Sequence, residues 1–227
     1  MRVTMSFLPV RLCLGLCLSL GVTAAVLSQS SLDRQRLLTP TDPAFTVAAP
    51  AVSRVRFDTT KGPLVIEIVR AWAPRGADRF VNLVRHGYYD EAKLFRVRPE
   101  TWVQFGIAAD PQVAQAWRTA TFPDDPFRET NARGTISFAF AVPDGRTTQV
   151  FINLKDNAAS HDKEPFVPFG RVVEGMDVAD AFNAEYREGI GGIRAGQQDA
   201  GFAGGNAFFD REFPRLDVIR RATVVGR

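Results

Sequence analysis

The segment Leu94–Ile107 reads LFRVRPETWVQFGI and is the most informative part of the chain. It is typical of two short strands joined by a tight turn, with Arg96 between apolar neighbours and Gln104 further along. A second segment, Gly134–Leu154, contains Gln149 within the run QVFIN. These segments place an arginine, two glutamines and several aromatic residues on strands, with no acid–base pair beside them. This combination favours a chemistry that breaks no bond. That chemistry holds an apolar ring while the conformation of an amide changes.

Three ordered blocks of the chain, with the spacing between them, resemble the cyclophilin family of peptidyl-prolyl cis-trans isomerases. The blocks are Phe95–Gly106, Gly134–Ile152 and Phe166–Met176, and the resemblance extends over about Val52–Val225. The sequence after Gly204 resembles the tail of a bacterial branch of that family. The resemblance therefore implies a bacterial-type cyclophilin, and the N-terminal segment described below predicts that it is exported.

The apolar periodicity predicts a mainly β protein. Alternation over residues 52–59 and a second apolar run over residues 64–69 predict a hairpin. A helix is predicted to begin at Pro74 and to stop at Gly87, and a second short helix to span Asp177–Ala184. The resemblance implies a closed eight-stranded antiparallel β-barrel capped by these two α-helices.

The resemblance also implies an active site on the strands. Arg96 matches the catalytic arginine of the family, and Gln104 matches the glutamine that orients it and touches the substrate backbone. The remaining positions that the resemblance implies as substrate-binding are Gln149, Phe151, Trp102, Phe166, Thr101, Phe140 and His161.

An arginine suits this reaction for a physical reason. The bond before proline rotates slowly because amide resonance raises a barrier of about 18–20 kcal/mol. A fixed guanidinium near the prolyl nitrogen favours the twisted amide over the planar one, without proton transfer or a covalent step. We therefore expect no cofactor and no metal, and we expect unfolded or flexible polypeptides that contain proline as partners.

Several pocket positions depart from the family pattern. Thr101 stands where a phenylalanine is usual, and Trp102 where a methionine is usual. Phe140 replaces a small polar residue, and His161 replaces a leucine. Two interpretations stay open: an isomerase that assists the folding of exported proteins, or a weakly catalytic peptide-binding module or chaperone. Trp102 either refills the space of the missing phenylalanine or blocks it.

The N-terminal part of the chain predicts export. Arg2 and Arg11 precede the apolar run Leu12–Leu27, which is short for a membrane span and typical of a signal peptide. We interpret the chain as three segments: a signal peptide or N-terminal membrane anchor (1–27), a flexible linker (28–51) and the isomerase domain (52–227). The expected location is the periplasm or another extracytoplasmic site, with an anchor through residues 12–27 as the open alternative.

Composition argues against a nucleic-acid partner. The net charge is only +3, two of these charges come from Arg2 and Arg11, and the basic residues form no continuous run. Both cysteines, Cys13 and Cys17, lie in the apolar run, so the predicted domain contains no cysteine. It therefore needs no disulfide and cannot form a wrong one in an oxidising compartment. We expect a monomer.

The glycine-rich stretch 188–205 lacks the context of a phosphate-binding loop, and we interpret it as a flexible surface loop.

Overall fold

The structure is a computed structural model that describes residues 32–226. Its strands are β1 (Val52–Thr59), β2 (Gly62–Val69), β3 (Ala92–Lys93), β4 (Arg96–Arg98), β5 (Trp102–Phe105), β6 (Thr135–Phe138), β7 (Val150–Asn153), β8 (Pro168–Glu174) and β9 (Val218–Val225). Its helices are α1 (residues 32–37), α2 (Pro74–Arg85), α3 (Pro111–Trp117), α4 (Ala158–His161), α5 (Met176–Asp180) and α6 (Asp199–Glu212). Short 3-10 turns lie at Pro43–Thr46 and Glu188–Ile190.

The nine strands form one antiparallel sheet in the order β3-β9-β1-β2-β8-β6-β7-β5-β4, which makes the described part of the protein mainly β. β3 and β4 are the two ends of this order, yet only Leu94 and Phe95 separate them along the chain. The sheet is therefore curled, because its two ends have to meet at those residues. The strand count differs from the expected eight because the stretch 92–98 contributes two short strands.

Helix α2 packs its apolar face against the core side of the curled sheet. Phe80 is fully buried, and its ring centroid lies 6.2 Å from that of Phe57 on β1 and 5.0 Å from that of Phe169 on β8. The predicted start of this helix at Pro74 is confirmed. The predicted stop is confirmed as well, since Gly87 follows the helix with φ of +75°.

The glycine-rich stretch 188–205 is more ordered than we expected. It contains the 3-10 turn Glu188–Ile190, and its last residues form the first half of α6. Gly205 has φ of +54°, and a Cβ there would lie 2.3 Å from the backbone oxygen of Ala109. The prediction of a flexible loop is therefore wrong for residues 199–205, because this glycine permits close packing in a kinked helix.

The segment before the domain is also packed, where a flexible linker was predicted over residues 28–51. Leu37, Phe45 and Ala49 are each at most 7% exposed and belong to the same hydrophobic core as the sheet. The ring centroid of Phe45 lies 4.7 Å from that of Trp117 in an edge-to-face contact. The apolar anchors are eight and four residues apart, with Pro40 and Pro43 between the first two, so they carry no periodic signal.

Hydrogen bonds reinforce this packing of the N-terminal segment. Trp117 Nε1 donates to the backbone oxygen of Leu37 at 2.8 Å. Asn82 on α2 donates from Nδ2 to the backbone oxygens of Phe45 and Val47, at 3.2 and 2.7 Å. Residues 37–49 therefore form a strap along α2 and α3.

The predicted signal peptide or anchor over residues 1–27 lies outside the described residues, as do residues 28–31 of the predicted linker. None of the helices in residues 32–226 combines the length and the apolar character that a membrane crossing requires.

Phe45→Ala tests whether the strap contributes to the stability of the domain. The variant removes a ring that is 7% exposed, and we expect the free energy of unfolding to fall by about 3 kcal/mol in urea denaturation. Val47→Ala is a matched control, because Val47 is 50% exposed and its loss should cost less than about 0.5 kcal/mol. Equal stability of the two variants would contradict a structural role for the strap.

Candidate active site

Three neighbouring strands place the central polar residues in one row. In the β4–β5 pair Arg96 lies opposite Gln104, and in the β5–β7 pair Gln104 lies opposite Phe151. Residues directly opposite each other on antiparallel strands project to the same face. The register therefore brings the arginine, the glutamine and an aromatic ring to the same side of the sheet.

Arg96 is held from several directions. Its Nη1 donates to Gln104 Oε1 at 2.7 Å, and Gln104 Nε2 donates in turn to Gln149 Oε1 at 2.9 Å. Its Nε donates to the carboxylate of Glu188, which also forms an ion pair with Nη2. Its Cζ lies 4.3 Å from the centre of the Trp102 ring, within the range of a cation–π contact.

The environment strengthens the charge of Arg96 as an electrostatic group. Only 16% of its side chain is exposed. Burial lowers the pKa of Arg96, while the hydrogen bond and the charge of Glu188 act in the opposite direction. An arginine stays protonated under these conditions. The site therefore presents the guanidinium donors in partly desolvated surroundings, where they act more strongly than in water, while the carboxylate of Glu188 offsets part of the positive charge.

Four rings form an aromatic cup beside this charge: Phe140, Phe151, His161 and Phe166. The centroid of the Phe166 ring lies 4.8 Å from that of Phe140, 5.2 Å from that of Phe151 and 5.1 Å from that of His161. The Phe151 and His161 centroids are 5.3 Å apart. The cup is an apolar surface of the size and character that a proline ring fits.

All the residues predicted for the site line one groove of about 870 Å³. They are Arg96, Thr101, Trp102, Gln104, Phe140, Gln149, Phe151, His161 and Phe166. The groove brings them together from segments that are far apart in the chain, while their individual roles stay predictions.

The positions that depart from the family pattern have specific surroundings. Thr101 is half-buried and donates from Oγ1 to the backbone oxygen of Pro99 at 3.2 Å. Trp102 is only 8% exposed, and its ring lies against the guanidinium of Arg96. Phe140 is covered by Arg146, whose Cζ lies 4.3 Å from the ring centre. An aromatic residue is thus absent at 101 and present at 140.

Glu188 and Arg146 were missed by the sequence reading. Glu188 lies 92 residues after Arg96, inside the stretch interpreted as a flexible loop. Arg146 is 2% exposed, and burial lowers its pKa to about 10. It contacts the carboxylate of Asp124 and donates from Nη2 to the backbone oxygen of Pro165 at 2.6 Å. No local motif marks either residue, because both act through contacts between distant segments.

The architecture is similar to that of a solved cyclophilin-type peptidyl-prolyl cis-trans isomerase from Cryptosporidium parvum. The TM-score is 0.56 at 17% identity, over 78% of this chain and 99% of that one. A second structure of that protein, determined in the presence of the dipeptide Ala-Pro, gives a TM-score of 0.54 at 17% identity, over 77% of this chain and 99% of that one. At this identity the likeness supports the fold alone.

The sequence comparisons are more specific than the fold comparison, because they match this chain to one protein family. The family profile described as "Cyclophilin type peptidyl-prolyl cis-trans isomerase/CLD" matches residues 54–194. Peptidyl-prolyl cis-trans isomerase A of Dickeya dadantii is 34% identical over 158 residues, which are 68% of this chain and 82% of that protein. Peptidyl-prolyl cis-trans isomerase cyp18 of Streptomyces antibioticus is 36% identical over 140 residues, which are 57% of this chain and 82% of that protein.

The chain belongs to the cyclophilin-type peptidyl-prolyl cis-trans isomerases. The prediction of a peptidyl-prolyl isomerase is thereby confirmed, and the protein is an enzyme that catalyses rotation about peptide bonds preceding proline. A further role in the folding of exported proteins stays a prediction. Within residues 32–226 no group of three His, Cys, Asp or Glu side chains is arranged to hold a metal ion.

His161 should make this cyclophilin sensitive to acid. Its Nδ1 is buried and has no hydrogen-bond partner within residues 32–226. Burial lowers the pKa of His161 below its ordinary value of 6.5, against the opposing charges of Glu164 and Asp162, while the charge of Lys155 acts in the same direction as burial. The imidazole is therefore neutral at pH 7. Protonation at lower pH places a charge in the aromatic cup, where it disfavours an apolar ring.

We expect kcat/KM of the isomerase to fall as the pH drops through the lowered pKa of His161. The unfolded chain binds this proton more readily than the folded one, so stability should also decline as the pH falls below about 6.5. Measuring pH profiles for the wild type and for His161→Leu checks this, because the leucine variant should lack that inflection. Profiles of the same shape would remove His161 from the explanation.

Proposed function

We propose that Arg96 is the catalytic residue of this isomerase and that the aromatic cup holds the proline ring. The observation that carries the proposal is the position of a charged, partly buried guanidinium, hydrogen-bonded to Gln104 at 2.7 Å, beside the rings of Phe151 and Phe166. A ring in the cup and an amide beside the arginine fit within the same groove.

The reaction follows from this arrangement without any bond being broken. In the planar amide the nitrogen lone pair is delocalised, and this resonance causes the barrier of about 18–20 kcal/mol. When the amide twists, the lone pair returns to the prolyl nitrogen, which becomes a hydrogen-bond acceptor. A preorganised Arg96 interacts with that nitrogen more strongly in the twisted state than in the planar one, which lowers the barrier.

The substrate is proposed to be a flexible polypeptide that contains proline. The Cryptosporidium parvum relative was studied with the dipeptide Ala-Pro, which supports a proline-containing ligand for the corresponding groove here. Gln104 and Gln149 offer amide groups along the same groove, where they are suited to hydrogen bonds with a peptide backbone. The aromatic cup then selects proline by its apolar ring.

We also infer that the curled sheet closes into a barrel at Leu94 and Phe95. The backbone N–H of Leu94 donates to the backbone oxygen of Asp217 at 2.9 Å, next to the β3–β9 pairing. Leu94 and Phe95 are each 1% exposed, so the junction is as well buried as the core. Closure supports catalysis because it anchors the chain two residues before Arg96, at the start of β4.

The proposed setting is the extracytoplasmic space, where the enzyme assists the folding of exported proteins. The apolar run Leu12–Leu27 after two arginines supports an export signal, and the remainder of the chain contains no cysteine. We propose that the chain acts as a monomer in which the domain over residues 52–227 carries the activity.

Arg96→Ala should reduce kcat/KM on a proline tetrapeptide by about 10²-fold or more, because one preorganised donor to the transition state is lost. Arg56→Ala is a suitable control, since Arg56 is an exposed arginine on β1 whose ion pair joins it to Asp58 on the same strand. Both variants should unfold at the same urea concentration as the wild type. Full activity of Arg96→Ala would eliminate the proposed catalytic role.

The proposed location is tested by cell fractionation and N-terminal sequencing of the expressed full chain. A soluble extracytoplasmic product that begins near Val26 would support a cleaved signal peptide. A full-length product in the membrane fraction would support the anchor. An intact chain that is soluble in the cytoplasm would contradict both, together with the role in folding exported clients.

A further inference from the structure

The guanidinium of Arg96 has a partner that no motif in the sequence indicated. Its Nε donates to Oε1 of Glu188, and the same oxygen forms an ion pair with Nη2. The Glu188 side chain is 37% exposed, whereas that of Arg96 is 16% exposed. Glu188 does not line the groove itself; with Arg96 and Trp102 it lines a second, adjacent cavity of about 640 Å³, so its carboxylate reaches the arginine from outside the groove.

The turn that carries Glu188 is itself held in place. The backbone oxygen of Arg187 accepts hydrogen bonds from the N–H groups of Ile190 and Gly192, at 2.9 and 3.0 Å. Ile193, just beyond the turn, is 7% exposed and belongs to the hydrophobic core. Glu188 is thus presented by an anchored turn, although the surrounding sequence is rich in glycine.

The contacts of Arg96 divide its hydrogen-bond donors into those used by protein groups and those left for a ligand. A guanidinium has five N–H groups in one plane. Glu188 occupies the edge formed by Nε and Nη2, and Gln104 accepts one N–H of Nη1. One N–H on each Nη is left for a ligand, while the ring of Trp102 covers one face of the plane. Three neighbours therefore set the direction of the donors that remain.

We propose that Glu188 is a positioning residue for the isomerisation, which orients the guanidinium of Arg96 before the substrate arrives. This inference rests on the proposed catalytic role of Arg96. A long arginine side chain loses much rotational freedom when it is fixed. The ion pair fixes the Arg96 side chain in the free enzyme. Its rotational entropy is therefore lost before the substrate binds and does not raise the barrier of the reaction.

The geometry favours positioning over inhibition. A carboxylate that blocked the active site would have to occupy the donors that the substrate needs. Glu188 instead uses the Nε edge and leaves a donor on Nη1 and another on Nη2. Gln104 and Trp102 hold the arginine from other directions, so the carboxylate completes an existing set of contacts.

Glu188→Ala and Glu188→Gln separate the orientation of the arginine from the charge of its partner. We expect Glu188→Ala to lower kcat about tenfold on a proline tetrapeptide, with KM nearly unchanged, because a misdirected donor is lost mainly from the transition state. Glu188→Gln should recover most of the rate, because its amide oxygen still accepts from Nε. Failure of this recovery would overturn positioning by hydrogen bonding.

Two further variants make the test specific. Glu185→Gln breaks an ion pair with Arg215 close by in sequence, outside the lining of the groove, and should leave kcat unchanged. In the Arg96→Ala background, Glu188→Ala should have no additional effect, because a positioning residue acts only through the residue it positions. An equal loss in both backgrounds would overturn the inference.

The outcomes also distinguish this inference from the proposed function. Loss of activity in Arg96→Ala together with unchanged or increased kcat in Glu188→Ala would overturn only the role of Glu188. Full activity in Arg96→Ala would overturn the catalytic role of the arginine, and the positioning role would fail with it. Far-UV circular dichroism and melting temperatures for each variant establish that the comparison is made between folded proteins.

Discussion

The antiparallel register of β4, β5 and β7 is the constraint on which the active site depends. It sets Arg96 opposite Gln104 and Gln104 opposite Phe151. A shift by one residue would move each of these side chains to the other face of the sheet. Gly106 ends this stretch with φ of +112°, and a Cβ there would lie 2.4 Å from the backbone oxygen of Thr148. A residue other than glycine could not allow this approach between the strands.

The same strands build the core and the groove at once. On β5, Val103 and Phe105 belong to the hydrophobic core, while Trp102 and Gln104 line the groove. The alternation of β5 thus couples the core to the groove: Val103 and Phe105 anchor the strand in the core, and Gln104 on its other face holds Arg96 of β4 through a hydrogen bond. The strands that stabilise the sheet therefore also position Arg96, as the proposed electrostatic catalysis requires.

The groove departs from the family pattern by redistributing its aromatic residues. Thr101 stands where the family pattern has a phenylalanine, and the neighbouring Trp102 packs against the guanidinium of Arg96. Phe140 adds a ring whose centroid lies 4.8 Å from that of Phe166, and the guanidinium of the buried Arg146 lies over it. The apolar surface therefore has its centre at the aromatic cup. Because His161 belongs to that cup, the change also introduces a titratable group into the pocket.

The amino-acid sequence was sufficient to predict the mainly β class and the ends of α2, because these follow from local periodicity and from the positions of Pro74 and Gly87. The family and nine of the residues that line the groove were predicted from the resemblance of three motifs to the cyclophilins. The sequence did not predict the strap over residues 37–49, the ordered start of α6, or the contact of Glu188 with Arg96. Each of these depends on segments that are distant in the chain and carry no periodic pattern. They follow from the tertiary fold, because the curled sheet and its core bring those segments together.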